Sequence, residues 1–474
     1  MNISFSFLNL SFLKNKNLIN FCIVILLTLT SYLFFQNFLN ESGYWYDEWC
    51  TLLTSDPNVN LQTIYERHRG NSDKPNENVP IIYYLVLRFF FEVVGFTSQN
   101  GRIFSFIFYI LSAISVYFLA KKNLNVSQSI FISSAFLSTP LILWMANETR
   151  VDMFLIFFSM LNLLIFFNII KEYNLKNTLF LLASNIITLS IYPLTISLIA
   201  SQILFVILKK NLNLFLLITF SIIVYSFLNY EYLIDKSLNK AHHFATLHLN
   251  FFIGYFFNTF FGSIFFGFIY LFTFVFLLVK NFMKIYKNDL LFFIIISVIV
   301  TYLMVIISSL FVTPIAAPRY IIFIVPLILI FIFTNLFIFE KKNYLFFIFF
   351  IILISNIYLN YDERHIKKPK IDETLLIVKK FNQKKIYLEP QTKVFTNYMM
   401  TVKNINHFEI IEKKDILSLK HDNFILICLN NPKYQVEIKP KEDDKQCLKK
   451  YKGYIEIEKI SYDDFLVRVL KKDV

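Results

Sequence analysis

Long apolar runs recur through most of this chain, and they constrain its fold more than any other feature of the sequence. A bilayer core about 30 Å thick is crossed by roughly 20 apolar residues in a helix. Twelve runs approach that length, at about 18–39, 79–98, 101–120, 125–145, 151–170, 177–192, 193–209, 212–229, 251–279, 288–312, 318–339 and 343–360. Only 17% of the residues are charged, against about 25% in soluble domains. The sequence therefore predicts a polytopic α-helical membrane protein.

The net charge of +13 raises the question of a nucleic-acid partner. The lysines lie in short clusters between the apolar runs, however, where membrane topology accounts for them. We therefore expect no nucleic-acid partner. The first run follows Lys14 and Lys16, is too long for a signal-peptide core and has no small-residue cleavage site after it, which predicts an uncleaved anchor.

The positions of the lysines indicate how many runs cross the membrane. If all twelve cross, Lys121–Lys122 and Lys209–Lys210 fall outside, against the positive-inside rule. The run Pro80–Phe96 carries Arg88 and Glu92 near its middle, which is typical of an amphipathic segment on the membrane surface. If that run does not cross, six clusters face the cytoplasm: Lys14/Lys16, Lys121/Lys122, Lys171/Lys176, Lys209/Lys210, Lys280/Lys284/Lys287 and Lys341/Lys342. We therefore predict about eleven transmembrane helices, a cytoplasmic N-terminus and a first outer loop with surface-lying helices.

Residues 361–474 differ in character from the apolar region 1–360, which we predict to be the transmembrane domain. They are rich in lysine and contain four short strand-like runs and one helix-like stretch: Lys385–Leu388, Phe424–Leu429, Tyr454–Ile460, Phe465–Leu470 and Asp372–Phe381. The pattern predicts a small C-terminal α/β domain outside the cytoplasm. Cys428 and Cys447 would either pair as a disulfide in that oxidising compartment or remain reduced core thiols.

An acidic pair, Asp47 and Glu48, follows the first apolar run among aromatic residues that include Tyr46. One interpretation is an interfacial aromatic belt with solvated carboxylates beside it. The other is a general base, since a carboxylate near apolar surface can have its pKa tuned and a helix end would hold it in place.

With the predicted topology, further polar residues collect on the same outer side: Tyr83, Tyr84, Arg102, Arg150, Asp152, Arg319 and Tyr320. Taken singly, most fit ordinary helix-end or snorkelling positions. An arginine such as Arg319 can also hold a phosphate through two hydrogen bonds. Glu77 with His242 or His243 could bind a metal ion, although histidines in a polar loop are more often solvated.

The order of these features resembles the GT-C superfamily of membrane glycosyltransferases, nearest to the protein O-mannosyltransferases and the aminoarabinose transferases of lipid A. The resemblance is carried by Tyr46-Asp47-Glu48, Pro80–Tyr84, Arg102 before Ser105, Arg150 with Asp152, and Pro318-Arg319-Tyr320 with Pro326. It is best over residues 40–200, recurs near 318–326 and does not cover the C-terminal domain. The chain departs from the family in having Asn78-Val79-Pro80 where His-Pro-Pro is usual.

The resemblance implies an inverting enzyme that moves a sugar from a polyprenyl-phosphate donor to a lipid, glycan or protein acceptor. The reaction would take place at the outer face of a plasma membrane, the inner membrane of a bacterium. Asp47 would be the base, and Glu48 would hold the acceptor or orient Asp47. The remaining roles are binding of the departing phosphate by Arg319, Tyr320, Arg102 or Arg150, and shaping of the acceptor side by Tyr46, Asp152, Tyr83 and Tyr84.

The resemblance leaves the cofactor open, because a divalent metal on Glu77 with His242 or His243 is implied only by the aminoarabinose group. Two other functions also compete. A flippase or transporter of lipid-linked glycans would place ionisable residues at mid-membrane depth and show pseudo-repeats. An O-antigen polymerase or ligase would have its large outer loop late in the chain. The early acidic loop and the charges at the outer edge favour the transferase.

Overall fold

The structure, a computed structural model, describes residues 16–39, 46–69, 79–233, 260–262, 264–311, 318–340, 385–388, 409–410, 422–429, 451–462 and 465–473, with positions 350, 351, 353, 354, 357, 416 and 418. The chain forms two compact units. The helical unit comprises Met1–Leu39, Ser55–Leu61 and Glu77–Glu363, and the second unit comprises Asn40–Thr54, Gln62–Asn76 and Arg364–Val474. The predicted domain division near residue 360 stays a prediction.

The helical unit contains twelve described helices, which are numbered in chain order together with α2 Tyr46–Thr54 and α3 Leu61–Arg69 of the first loop. They are α1 Lys16–Leu39, α4 Ile82–Val94, α5 Ser98–Ala120, α6 Val126–Leu137, α7 Pro140–Ala146, α8 Asp152–Lys171, α9 Leu175–Ile191, α10 Ile196–Leu208, α11 Leu212–Leu228, α12 Ile264–Tyr286, α13 Asp289–Phe311 and α14 Val325–Asn335. The 3₁₀ helices Pro193–Thr195 and Pro318–Ile324 precede α10 and α14, and the π-helical turn Leu336–Glu340 follows α14.

Five of the described helices are long and apolar enough to cross a membrane, or six if the bent pair α6 and α7 forms one span. Shorter apolar helices cover Ile19–Phe34, Leu175–Ile191, Pro193–Leu208 and Leu212–Leu228. The chain is thus a multi-pass α-helical membrane protein, as predicted. The number of eleven crossings stays a prediction, because the run at 343–360 lies largely outside the described residues.

The third predicted crossing, at residues 125–145, is not one straight helix: α6 and α7 meet at an angle of 67°. Thr139 takes an extended backbone conformation immediately before Pro140. Proline disfavours a helical residue before it and cannot donate to the preceding turn, so the helix breaks at this point. Ser138 and Thr139 donate their hydroxyl hydrogens to the carbonyls of Ser134 and Ala135, each at 2.9 Å, which occupies two carbonyls at the end of α6.

The segment Pro80–Phe96 forms the short helix α4, whose 13 residues span only about 20 Å. That length is well below the thickness of a bilayer core. The guanidinium of Arg88 donates to the carbonyls of Asp56 and Pro57, at 2.8 and 3.2 Å, and contacts Glu92 at 3.1 Å. An arginine held by loop carbonyls and a partly exposed carboxylate fits a segment at the membrane surface rather than a span.

The packing of α1 against α5 supports the same conclusion. Phe34, near the end of α1, lies 4.5 Å from Phe106 and 6.1 Å from Tyr109, ring centre to ring centre, in the first half of α5. The end of α1 and the beginning of α5 therefore lie at the same end of the bundle. This arrangement agrees with the prediction that α4 does not cross the membrane, which stays a prediction.

Contacts between helix ends separate two faces of the helical unit. At one face Lys122 donates to Asn168 at 3.0 Å, and Lys209 pairs with Asp289 at 2.6 Å. We call this face the lysine end, defined by Lys121, Lys122, Lys171, Lys176, Lys209, Lys210, Lys284, Lys287 and Asp289. At the opposite face, which we call the arginine end, lie Gly101, Arg102, Ser105, Glu148, Thr149, Arg150, Asp152, Tyr192, Arg319 and Tyr320. The lysine clusters between residues 121 and 287 thus share one face, as the predicted topology requires, while Lys14/Lys16 and Lys341/Lys342 lie outside the described side chains.

A buried network of amides and hydroxyls joins the middles of four helices. Asn162 of α8 donates to Asn185 of α9 at 2.7 Å, and Gln202 of α10 donates to Asn162 at 2.5 Å. Asn185 in turn donates to Ser221 of α11 at 3.1 Å. Hydrogen bonds between side chains hold helices together where lipid offers no polar partner.

The C-terminal part of the second unit contains a mixed five-stranded sheet. Its strands are β1 Lys385–Leu388, β2 Glu409–Ile410, β3 Asn423–Leu429, β4 Tyr454–Tyr462 and β5 Phe465–Lys472, in the order β2-β1-β3-β5-β4. β1 runs parallel to β2 and β3, while β5 is antiparallel to both β3 and β4. Tyr387, Phe424, Tyr451, Tyr454 and Leu470 form much of its core. The four predicted strands are confirmed and the two-residue β2 was missed, while the predicted helix at 372–381 and Cys447 lie outside the described residues.

Candidate active site

The acidic pair begins a short helix of the first loop, α2 Tyr46–Thr54. Asp47 and Glu48 occupy its first turn, where the helix dipole favours negative charge. Glu48 is fully buried and Asp47 is partly buried, and the Thr51 hydroxyl donates to the backbone carbonyl of Asp47 at 2.9 Å. Tyr46 begins the helix, but its side chain lies outside the described part of the chain.

A second helix of the loop, α3 Leu61–Arg69, supports the end of α2. The buried guanidinium of Arg67 donates to the carbonyl of Leu53 at 2.5 Å. Leu53 has one of the last carbonyls of α2, which lack partners within the helix, and a cation there also matches the negative end of the dipole. Arg67 and the neighbouring buried His68 were missed from the sequence. The signal that was available is that Ile64 and His68, four residues apart, share the buried face of α3.

At the arginine end, the N-terminal half of α5 lies tightly against the loop before α8. A Cβ at Gly101 would lie 2.5 Å from the Thr149 Cγ2, so only glycine permits this approach. One turn further along α5, the Ser105 hydroxyl donates to the backbone carbonyl of Glu148 at 2.6 Å. Arg102 lies between these two contacts in sequence and is 4% exposed, so its charge is buried where α5 meets the loop.

The loop continues into a second arginine beside a carboxylate. The Arg150 Nε lies 3.6 Å from the Asp152 Oδ2, with side-chain exposures of 14% and 6%. Asp152 begins α8, where a negative charge is favoured by the helix dipole. The structure therefore places Arg150 beside Asp152, and it buries Arg102 and Glu148 where α5 meets the same loop.

Tyr83 and Tyr84 of α4 are buried and pack edge to face, with their ring centres 5.4 Å apart. The ring of Tyr83 also lies 6.1 Å from Phe104 of α5 and 5.7 Å from Phe154 of α8. Aromatic pairs at these distances contribute beyond their buried area. Tyr83 thus holds α4 against the two helix ends that carry Arg102 and Asp152.

The 3₁₀ helix before α14 brings a third arginine to this end. The Arg319 guanidinium lies 5.3 Å from the centre of the Tyr320 ring, and that ring lies 6.0 Å from the ring of Tyr192. Burial raises the pKa of Tyr192, Tyr320 and Asp152 raise it further, and the charges of Arg319 and Arg150 lower it. Tyr192 therefore lies within electrostatic reach of both arginines.

Tyr192 was not predicted as a site residue. It occupies the break between α9 and the 3₁₀ helix Pro193–Thr195, in an extended conformation, so its side chain leaves the helical pattern. The Tyr192-Pro193 pair marks a helix boundary in the sequence, but only the tertiary packing shows which residues surround the ring.

At the arginine end, arginine side chains lie in buried or partly buried positions, where desolvation makes a charged group energetically costly. Such a group persists in a protein when it is paired with an opposite charge or serves in binding or catalysis. Planar guanidinium groups match the geometry of phosphate oxygens and remain charged at any physiological pH. Arg102, Arg150 and Arg319 all lie at this end of the helical unit, and Arg150 and Arg319 both act electrostatically on Tyr192.

The predicted metal ligands cannot be placed, since Glu77, His242 and His243 lie outside the described residues. Within the described ranges, no group of three or more His, Cys, Asp or Glu side chains could hold a metal ion. The metal site therefore stays a prediction.

A family model for dolichyl-phosphate-mannose-protein mannosyltransferase matches residues 78–230. The matched segment, about a third of the chain, contains Arg102, Arg150, Asp152 and Tyr192, and excludes Asp47 and Arg319. No curated protein matches the sequence of this chain.

Two crystal structures share the fold, and both are of ArnT from Cupriavidus metallidurans. The structure bound to undecaprenyl phosphate has a TM-score of 0.55 and 11% sequence identity, covering 94% of this chain and 97% of that one. The apo structure has a TM-score of 0.57 and 10% identity, with the same coverage. The family-model match and the two structural matches confirm the predicted resemblance to GT-C membrane glycosyltransferases, and the structural matches show a shared fold.

Proposed function

We propose that this protein transfers a sugar, with inversion, from a polyprenyl-phosphate donor to a lipid, glycan or protein acceptor at the outer face of a plasma membrane. The observation that carries the proposal is the cluster of Arg102, Arg150 and Arg319 at one end of a bundle with the GT-C fold. The fold match includes a protein bound to undecaprenyl phosphate, which supports a lipid-linked donor.

In this proposal the arginine end binds the donor phosphate. Cleavage of the bond between the sugar and the phosphate leaves negative charge on the departing oxygen. Preorganised cations in a site with little water stabilise that charge without reorganising during the reaction. Arg319 and Tyr320 would bind the phosphate, with Arg102 and Arg150 strengthening the positive potential.

Asp47 is proposed as the general base that removes the proton from the acceptor hydroxyl. A carboxylate in the first turn of α2 is held on a rigid element, which suits proton transfer at a fixed position. The fully buried Glu48 would orient Asp47 or hold the acceptor. Tyr46, Tyr83, Tyr84 and Asp152 would shape the acceptor side of the site.

The proposal is tested by measuring transfer of radiolabelled sugar from polyprenyl-phosphate donors to extracted membranes. Asp47→Asn removes the base while keeping the size of the side chain, and transfer should fall by roughly 10² to 10⁴-fold. The matched control is Glu66→Gln on α3, because Glu66 is a partly exposed carboxylate of the same loop that accepts a hydrogen bond from Gln62 at 3.0 Å.

Label fixed to an acceptor by the wild type and by Glu66→Gln, but not by Asp47→Asn, would support both the transferase and its base. Equal transfer by Asp47→Asn at matched expression would exclude Asp47 as the base. Absence of transfer from every polyprenyl-phosphate sugar tried would argue against the transferase and favour transport of a lipid-linked glycan.

A further inference from the structure

The lysine end contains two neighbouring cations, Lys122 and Lys171, that take no part in the proposed reaction. Lys122 follows α5 and is partly buried; its ammonium donates to the Asn168 Oδ1 at 3.0 Å and lies 6.0 Å from the centre of the Phe167 ring. Asn168 and Phe167 belong to the last turns of α8. The ammonium thus bridges the end of α5 and the last turns of α8, and in the described part of the chain this hydrogen bond uses one of its three hydrogens.

A second cation, Lys171, ends α8 one turn after Asn168. Burial lowers the pKa of Lys122, and the positive charge of Lys171 lowers it further, so the two ammonium groups repel each other. In the part of the chain that the structure describes, neither lysine forms a salt bridge. The nearest carboxylate in sequence, Glu172, accepts instead from the Asn174 amide at 3.0 Å.

A comparison at the same face shows that this arrangement is not general. Lys209, at the end of α10, is paired with Asp289 at the start of α13 at 2.6 Å. The fold supplies a carboxylate to that lysine, whereas Lys122 and Lys171 are placed together without one. A ligand with negative charge would convert their repulsion into attraction.

The surroundings of the two lysines are those of a lipid rather than of a soluble anion. Lys121 lies over the Tyr117 ring at 5.7 Å, and Lys176 lies over the Phe180 ring at 5.8 Å. Phe118 and Phe180 on the same helix ends are both 51% exposed and so present apolar surface beside the charges. A ligand that fits has an anionic group at the level of the lysines and hydrocarbon along the rings.

We propose that Lys122 and Lys171, with the Asn168 amide, bind the phosphate of an anionic phospholipid headgroup at the lysine end. Lys121 and Lys176 flank the site, and the acyl chains lie along the exposed aromatic rings. Basic pockets between transmembrane helices bind lipid headgroups by the same combination of charge and apolar contact. The site is independent of the transferase proposal, because none of its residues belongs to the arginine end.

The test is native mass spectrometry of the full-length protein titrated with phosphatidylglycerol, with zwitterionic phosphatidylcholine as the reference lipid. The double variant Lys122→Gln/Lys171→Gln should weaken binding of one phosphatidylglycerol by about 30-fold, and each single variant by roughly 5-fold. Lys209→Gln is the matched control at the same face and should leave binding within twofold. Lys122→Arg, which keeps the charge, should retain most of the affinity.

Unchanged binding by the double variant would overturn the proposal, as would equal binding of the two lipids by the wild type. A further arm adds inorganic phosphate as a competitor. Displacement of the lipid by phosphate at equal concentration would show a site for free phosphate and overturn the assignment to a lipid. Gel filtration of each variant verifies that the protein remains monodisperse, so a loss of binding is not read from aggregated protein.

Discussion

The two ends of the helical unit both carry several positive charges, yet they hold them in different ways. At the arginine end the charged groups are buried or partly buried, with Arg150 beside the Asp152 carboxylate and Arg319 against the Tyr320 ring. At the lysine end most of the charges are exposed, and their stems run along aromatic rings. Lysines placed in this way orient the helices in the membrane and cost little.

Orientation of the helices in the membrane does not explain the buried arginines of the opposite end. Burying an ion costs several kcal/mol unless partners compensate it, and the positive-inside rule does not require charge at the opposite face. Position relative to the membrane is therefore not enough to infer the role of a basic residue. Burial separates the cations that set topology from those available for chemistry.

The largest difference in sugar transfer is expected when one cation is replaced at each of the two ends. Arg319→Met should lower sugar transfer at limiting donor by roughly 10² to 10³-fold, because it removes a charge that stabilises the departing phosphate. Lys287→Met, at an exposed position of the lysine end, should leave transfer within twofold. The measurement is the initial rate of transfer at several donor concentrations.

Arg319→Lys distinguishes charge from geometry at the same position. A lysine keeps the charge but cannot offer two parallel hydrogen bonds, so transfer should be intermediate between the wild type and Arg319→Met. An equal loss of sugar transfer in Arg319→Met and Lys287→Met would contradict this distinction, because both ends would then contribute alike to the reaction.

The second prediction concerns the close approach that buries Arg102. In Gly101→Ala the new Cβ would lie 2.5 Å from the Thr149 Cγ2, and overpacking of this kind costs about 1 to 3 kcal/mol. We expect a lower thermal midpoint in detergent and slower transfer. Thr149→Ala removes the atoms in closest contact, so the double variant should recover part of the stability, as a double-mutant cycle would show. Additive losses in that cycle would contradict the proposed clash.

The smallest effect is expected for the ion pair of Lys209 with Asp289. Both side chains are more than a third exposed, at 41% and 47%, so solvent screens the pair and its contribution is about 0 to 1 kcal/mol. Lys209→Gln should change the thermal midpoint little, and added salt should remove what difference there is. A large loss of stability would show that the lysine end is more than a topological signal.

The sequence was sufficient for the features that depend on local pattern. The apolar runs at 101–120, 151–170 and 288–312 correspond to α5, α8 and α13 within three residues at each end, because hydrophobicity alone determines such spans. The strand Lys385–Leu388 was predicted with its observed bounds. The charged Arg88 and Glu92 predicted that α4 is not a span, and α4 is only 13 residues long.

Features that depend on tertiary contact were not available from the sequence. The angle between α6 and α7 depends on how the residues around Pro140 pack, and β2 is only two residues long. The pairing of Tyr192 with Tyr320 joins positions far apart in the chain through an irregular turn. Arg102, Arg150 and Asp152 were selected from the sequence by their charge, and their roles, like those assigned to Asp47 and Arg319, stay predictions.

The helix α14 has a consequence for how the protein is made. All eleven of its residues are buried, and this segment is the most deeply buried of the five described helices that are long enough to cross a membrane. This segment emerges from the ribosome after the helices that surround it, including α5, α6, α12 and α13. The earlier helices must therefore remain in the membrane, with the space for α14 unfilled, until that helix is inserted. Premature termination before residue 319 would leave a chain that inserts normally but cannot pack the interior of the helical unit. We expect quality-control proteases to remove such a chain.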